Sequence, residues 1–273
     1  MKEEMAVHPF NDLKVEQGSV GIHWFGQSSF ALKSPAGTVI LVDPYFPRVR
    51  PPEKFIHPEP PVDEADVKTD WVLLTHNHID HTCIESLLRI RDAWPEARFV
   101  GPVESVQAMV GARIPEERTI TVQAGEQVRL GRDAVAHAVY AKPPEGHPEK
   151  GIAPPDVTHL GYVVDVAGVR VYISGDPIHT FAEREDLIQP VAALKPHIGM
   201  LTTHPTEGEF PFFDGSVAMA RKIGLLTAVP SHYQCFVKRT YDPAEWDAAF
   251  GDGGPERLII PYNSSVVYTP PAR

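Results

Sequence analysis

A chain of 273 residues with 42% hydrophobic and 22% charged side chains can bury a large core, which excludes a disordered or fibrous protein. Its formal net charge of −11 argues against nucleic acid and against an anionic membrane surface as partners. No apolar run has the length of a spanning helix and the start MKEEMAVHPF is too polar for a secretory signal, so a cytoplasmic protein is expected.

In chain order, Gly21 to Trp24, Ser29 to Lys33 and Val39 to Val42 are short β-rich runs broken by Gly26 and by Pro35-Ala36-Gly37, predicting a hairpin or meander. After Asp43-Pro44-Tyr45, the clusters Pro51-Pro52 and Pro58 to Pro61 predict extended loop rather than helix. Trp71-Val72-Leu73-Leu74 is an apolar run of strand length that stops at Thr75-His76. Ile84 to Trp94 and Val103 to Val110 have helical spacing, with Phe99-Val100 between them. Strand-like runs resume at Thr119 to Val122, Gln127 to Leu130 and Ala134 to Tyr140. Gly161 to Val166 and Val169 to Ser174 predict a hairpin about Ala167-Gly168 that ends in Gly175-Asp176-Pro177. Helical stretches at Phe181 to Leu194 and Gly215 to Ile223 alternate with the apolar runs Ile198 to Leu201 and Leu225 to Pro230, the last reaching Ser231-His232-Tyr233. Strands then helices, twice over, predict an α/β fold: one domain over residues 1–273, a four-layer αββα sandwich of two mixed sheets flanked by helices, with similar halves at roughly 18–130 and 131–273.

The chemistry concentrates in THNHIDHT, residues 75 to 82, where three imidazoles and a carboxylate follow a buried strand. Neutral imidazole and carboxylate are preferred zinc ligands and also suit iron and manganese. His76 and His78 are expected to bind one divalent ion, Asp80 and His81 a second. Two such ions can share a water and lower its pKa towards neutrality. A solvated polar turn is the bland alternative, and four ligand-type residues at this spacing argue against it. Cys83 and Cys235 each follow one of these histidine segments. They are read as small buried hydrophobes rather than as redox groups.

HNHIDH resembles the HxHxDH signature of the metallo-β-lactamase superfamily. Trp24-Phe25-Gly26-Gln27-Ser28-Ser29-Phe30, Ile40-Leu41-Val42-Asp43-Pro44-Tyr45, Val171-Tyr172-Ile173-Ser174-Gly175-Asp176 and Val229-Pro230-Ser231-His232-Tyr233 are similar to the branch that contains L-ascorbate-6-phosphate lactonase and related metal-dependent hydrolases. The resemblance spans nearly the whole chain. It implies that Asp176 bridges two metal ions and that His232 completes the second site. It also implies a further histidine for the first site, after a strand well upstream of that aspartate. His137 lies within a predicted strand and too far upstream, and His159 opens the strand before Asp176 and lies close to it. His147 has the best spacing and is the expected ligand.

The expected activity is hydrolysis, with a metal-bound hydroxide attacking a carbonyl or phosphorus and Asp80 orienting it and taking part in proton transfer. His204 is a second catalytic candidate, to bind an anionic group or protonate a leaving group; capping a turn with Pro205 is its bland reading. Asp43 is expected either to hydrogen-bond a ligand histidine or only to open the Asp-Pro turn. Tyr45, Tyr233 and the segment Phe210 to Phe213 shape specificity or simply pack. By analogy with the branch, the substrate is a small and anionic molecule, a lactone or a phosphorylated sugar lactone. A phosphodiesterase, a thioester hydrolase and a non-catalytic metal-binding protein are the alternatives, and a homo-oligomer is compatible with all of them.

Overall fold

The computed structural model describes residues 8–271. After a short turn of 3-10 helix at Pro9–Asp12, three strands follow, β1 (Val20–Gly26), β2 (Ser29–Lys33) and β3 (Val39–Val42). The long proline-rich loop leads to β4 (Trp71–Leu73), α1 (Ile84–Ala93), β5 (Arg98–Gly101), α2 (Val103–Gly111) and β6 (Thr119–Thr121). The second half holds β7 (Gln127–Arg129), β8 (Ala134–Tyr140), β9 (Leu160–Val166), β10 (Val169–Ile173), α3 (Glu185–Ala193), β11 (Ile198–Thr202), α4 (Phe213–Ile223) and β12 (Thr227–Ser231). It closes with α5 (Pro243–Ala249), β13 (Glu256–Arg257) and β14 (Ser264–Tyr268).

Among the described residues two seven-stranded sheets result, ordered β14-β1-β2-β3-β4-β5-β6 and β13-β12-β11-β10-β9-β8-β7. Counted from β14 and from β7, each sheet makes three antiparallel pairings and then three parallel ones. The two sheets thus repeat one order of pairings. The boundary at 130 needs correction, because β7 pairs with β8 in the second sheet, and β14 returns to edge the first. Hydrophobic alternation alone could not show that a C-terminal strand crosses back.

The period of two in the strands explains the layers. In β3, Ile40 and Val42 face the core between the sheets, while Val39 and Leu41 face the outer layer of α1 and α2, where Leu87, Ile90 and Met109 cover them. Phe30 and Leu32 against Ala31, and Leu73 against Val72, split in the same way. Residues of α3, α4 and α5, among them Leu187, Val217 and Trp246, cover the second sheet. Strands buried on both faces must be apolar throughout, which is why β3 and β4 read as unbroken hydrophobic runs. The helix expected over 181–194 is a 3-10 turn at Phe181–Glu183 followed by α3. α4 ends at Gly224 in the left-handed region (φ 77°), with Arg221 and Lys222 in its last turn to offset the helix dipole.

Candidate metal centre

Parallel strands of one sheet point their carboxyl ends the same way, and loops gathered there form a natural site. Here the ends of β3, β4, β10 and β12 deliver Asp43, the loop Thr75 to Thr82, Asp176 and His232 to one side of the sandwich. Two bonds tie the sheets together at that edge. Leu160 N donates to Thr75 O (2.9 Å), and Tyr162 Oη donates to Leu74 O (2.9 Å). Gly175 lets the chain pass: its φ is +58°, and an added Cβ would sit 2.5 Å from Leu160 O and 3.1 Å from Thr75 Cβ. The histidine loop folds back on itself, with Thr82 N donating to His78 O and Thr82 Oγ1 to His76 O, each at 2.7 Å.

Among the described residues, three sets of ligand-type atoms converge within 4.8 Å: His76, His78 and His159; His76, His81 and Asp176; and Asp80, His81 and His232. His76 Nε2 and His78 Nδ1 face each other at 3.1 Å, and the His159 ring stacks on His76 with centroids 4.0 Å apart. Asp176 lies between the groups, 4.0 Å from His76 Nε2, 3.5 Å from His81 Nε2 and, through Oδ1, 3.5 Å from His232 Nε2. Asp80 Oδ2 is 3.8 Å from His81 Nε2 and 3.6 Å from His232 Nε2. The structure therefore brings together His76, His78, Asp80, His81, Asp176 and His232.

Two expected residues lie elsewhere. His147 is buried with Nδ1 2.7 Å from Thr180 Oγ1, and His159 stands in the place foreseen for it. The loop after β8 closes at its base, where Ala141 N donates to His159 O (3.0 Å), so its returning end lies at the strand end while His147 lies out along its course. His204 accepts the backbone N–H groups of Thr206 (3.3 Å) and Glu207 (2.9 Å) at Nδ1, and the residues lining the cleft do not include it. It caps the turn at Pro205. Cys83 and Cys235 are buried with Tyr45 and Phe55, and burial pushes the Cys235 thiol up to about 12, so it is inert as a nucleophile.

Asp43 settles the tautomers of two histidines. Its Oδ1 accepts Thr75 N (2.8 Å), and its Oδ2 accepts both Thr75 Oγ1 (2.6 Å) and His81 Nδ1 (2.8 Å). Because the Thr75 hydroxyl donates to Asp43, it can only accept from His76 Nδ1, 3.0 Å away. Both rings thus keep a proton on Nδ1, so that Nε2 is the nitrogen each neutral ring offers to the site. His78 does the reverse, with Nε2 3.1 and 3.2 Å from the Asp156 oxygens and Nδ1 facing inward.

Burial opposes ionisation of Asp80 and Asp176, yet the surrounding histidines outweigh it and hold both carboxyls well below the usual carboxylate range. Burial likewise opposes charge on His81, but Asp176, Asp80 and Asp43 outweigh it and raise its hold on a proton well above the ordinary value. Burial lowers His76 and takes His159 down to about 3. Such a cluster demands positive charge between its carboxylates while keeping flanking imidazoles neutral. His81 Nε2, Asp176 Oδ1 and both nitrogens of His159 are buried without a hydrogen-bond partner. Buried orphans of this kind are costly unless a cation satisfies them, so the residues fit divalent metal.

Above this cluster opens a cleft of about 630 Å³, floored by His78, Asp80, Asp176 and His232. Its walls carry the cations Lys54, Lys142, Lys238 and Arg239 and the acids Glu53 and Glu209, with Tyr45 and Phe210 at the sides. Lys142 is nearly buried and is 2.7 Å from Glu209. Gln27, Asp43 and His232 hold left-handed backbone, φ 53°, 43° and 70°, where L-residues are strained. Gln27 reaches Asp80 and His232 directly. Neither Gln27 nor Asp156 is marked in the sequence: a carboxamide after Gly26 looks like a turn residue, and nothing local makes Asp156 a partner of His78.

Residues 38–233 match the family described as the beta-lactamase superfamily domain. A metal-dependent hydrolase of Anaeromyxobacter sp. (strain K) is 27% identical over 263 residues, covering 91% of this chain and 87% of that protein. Igni18, a metallo hydrolase of the archaeon Ignicoccus hospitalis, superposes with a TM-score of 0.68 at 21% identity, over 92% of this chain and 98% of that one. The metallo-β-lactamase fold protein YhfI of Bacillus subtilis gives 0.63 at 13% identity, over 93% and 100%. At these identities the two structures speak for the fold alone.

Proposed function

This chain belongs to the beta-lactamase superfamily and has its αββα fold, and from that premise we propose that it is a metal-dependent hydrolase acting on an ester-type bond of a small anionic substrate. The observation that carries the reading is the convergence of five imidazoles and two carboxylates, several of them buried orphans, on and beneath the floor of a cleft whose walls carry four cations and two acids. His76, His78 and His159 would hold one divalent ion, Asp80, His81 and His232 a second, and Asp176 would lie between them. Zinc suits this set, as do manganese and iron. Bound there, the metal pair would acidify a water and polarise the bond under attack.

The protein's own groups supply the rest. Asp80, whose carboxyl the surrounding histidines hold well below the usual carboxylate range, lies at the cleft floor, where it would orient the attacking water. Burial keeps the Tyr45 hydroxyl protonated far above neutral pH, so it can donate a hydrogen bond to the oxygen where charge develops. Lys142, Lys238 and Arg239 give an anionic group its counter-charge. Beside the cleft a further hollow of about 750 Å³ shares Tyr45, Lys54 and Ile79 with it and is walled by Val49, Phe55 and Leu88, room for an apolar arm. Lactones, including phosphorylated sugar lactones, are the favoured substrate class.

The test is a panel of lactones, phosphorylated lactones, thioesters and phosphodiesters offered to the zinc-loaded chain. Anionic lactones should be cleaved best, Asp80→Ala should abolish turnover with the fold retained, and Lys142→Ala with Arg239→Ala should raise KM for anionic members only. Full turnover in Asp80→Ala would refute the mechanism, and indifference to substrate charge would refute the substrate class.

A further inference from the structure

Gln27 has no part in the mechanism above, yet both its backbone and its side chain are tied into the site. Its N–H donates to Tyr233 O (2.9 Å), and its C=O accepts His232 N (3.0 Å) and Trp24 Nε1 (3.0 Å). The turn after β1 is thereby clamped to the turn that carries His232. The side chain is buried, and its Nε2 lies 2.8 Å from Asp80 Oδ2 and 2.8 Å from His232 Nε2. The other end, Oε1, is buried with no partner.

That arrangement is unbalanced. One end of the amide meets two ligand-type atoms, while the end able to ligate meets nothing. A half-turn about the last side-chain bond exchanges the two ends without changing their shape. Once His232 Nε2 gives its lone pair to a cation, it accepts no hydrogen bond, and an N–H beside it has lost that partner. An amide oxygen in the same place is a suitable ligand for a divalent ion, and, being neutral, it adds no charge to a pocket that already holds Asp80 and Asp176.

We propose that Gln27 is a ligand of the second cation, through its side-chain oxygen, alongside Asp80, His81 and His232. The inference rests on the dinuclear reading above. Its rival is that Gln27 only donates an N–H to Asp80 and so positions it. The two differ in sign when Gln27 becomes a carboxylate: a ligand role tolerates an oxygen with charge, whereas a donor role sets two carboxylates against each other.

Zinc stoichiometry and affinity are measured on the full chain by competition with a chromophoric chelator, for the parent, Gln27→Ala and Gln27→Glu. Circular dichroism reports the fold, and the visible bands of the cobalt-loaded proteins report coordination. The parent should take up two equivalents. Gln27→Ala should keep the first and bind the second roughly ten-fold or more weakly, with altered cobalt bands. Gln27→Glu should hold the second within about three-fold of the parent or tighter and restore the bands. A second equivalent held by Gln27→Ala as in the parent overturns the proposal, as does one held more weakly than that margin by Gln27→Glu. Should Gln27→Ala not fold, Gln27→Glu decides alone. A parent that binds no cation, or only one, overturns the dinuclear reading itself, and the parent measurement alone shows which has failed.

Discussion

Replacing Asp43 by asparagine should weaken both cation sites together, although Asp43 reaches neither cluster of ligand atoms itself. The change is nearly isosteric, the left-handed backbone at φ 43° suits asparagine, and Oδ1 can still accept Thr75 N. What changes is the atom now facing Thr75 Oγ1 and His81 Nδ1, which becomes an N–H donor in place of an acceptor. His81 must then leave Nδ1 bare and carry its proton on Nε2, aimed at the site. Thr75, now receiving a hydrogen bond from residue 43, turns its own hydroxyl proton towards His76 Nδ1 and forces the same exchange there. For a cation to bind, both rings must revert and leave buried donors facing donors, a cost of about 1–3 kcal/mol for each such group. That corresponds to roughly 5–150-fold weaker binding at each site. Chelator competition resolves the two equivalents, and thermal melting of the metal-free chain tests that the fold is unchanged. Affinities for both equivalents equal to the parent's would refute the tautomer argument, and loss confined to one would break the relay through Thr75.

Three other outcomes follow from the same geometry. His159→Ala should release one equivalent of zinc, whereas His147→Ala should keep both and lose only about 1 kcal/mol from its bond to Thr180, seen by metal content and urea midpoint. Gly175→Ala should cost roughly 1–3 kcal/mol or more in stability, from its left-handed φ and the 2.5 Å approach to Leu160 O, and should loosen zinc by displacing Asp176. Burial lowers His23, which is held by Ser265 and Asn263, to about 4, so below 6.5 the unfolded chain takes up a proton that the folded one refuses. The stability due to the neutral ring is complete above 6.5 and is lost as the pH falls towards 4, by about 3 kcal/mol. Denaturation midpoints against pH should show a slope in the parent that is shallower in His23→Gln; equal slopes would refute it.

The parts of the site legible in the sequence were those that are local. His76, His78, Asp80 and His81 sit on one loop after one apolar strand, so a short window displays them all. Asp176 and His232 were reached only through resemblance, because a lone aspartate or histidine after a strand has no local mark. Residue spacing favours His147 over His159, and spacing does not reveal that the loop closes at Ala141 and His159 and returns its far end to the histidine cluster. The sandwich was legible from alternation up to β12. Beyond it, α5 went unread despite Asp242, whose side chain accepts Ala244 N, and Pro243 at the first helical position. β14 also went unread, since a short strand edging a distant sheet depends on partners that its own residues do not name.

The left-handed backbone at Gln27, Asp43 and His232 has a consequence for how this protein can change. Each position opposes the intrinsic preference of its residue by about 1–2 kcal/mol, which glycine, or in part asparagine, would relieve. At 43 asparagine still accepts Thr75 N, so a laboratory selection that rewarded heat resistance alone should admit it there early, at the expense of the cation sites. Durability and activity draw on the same backbone, and only a selection that scores turnover can keep it.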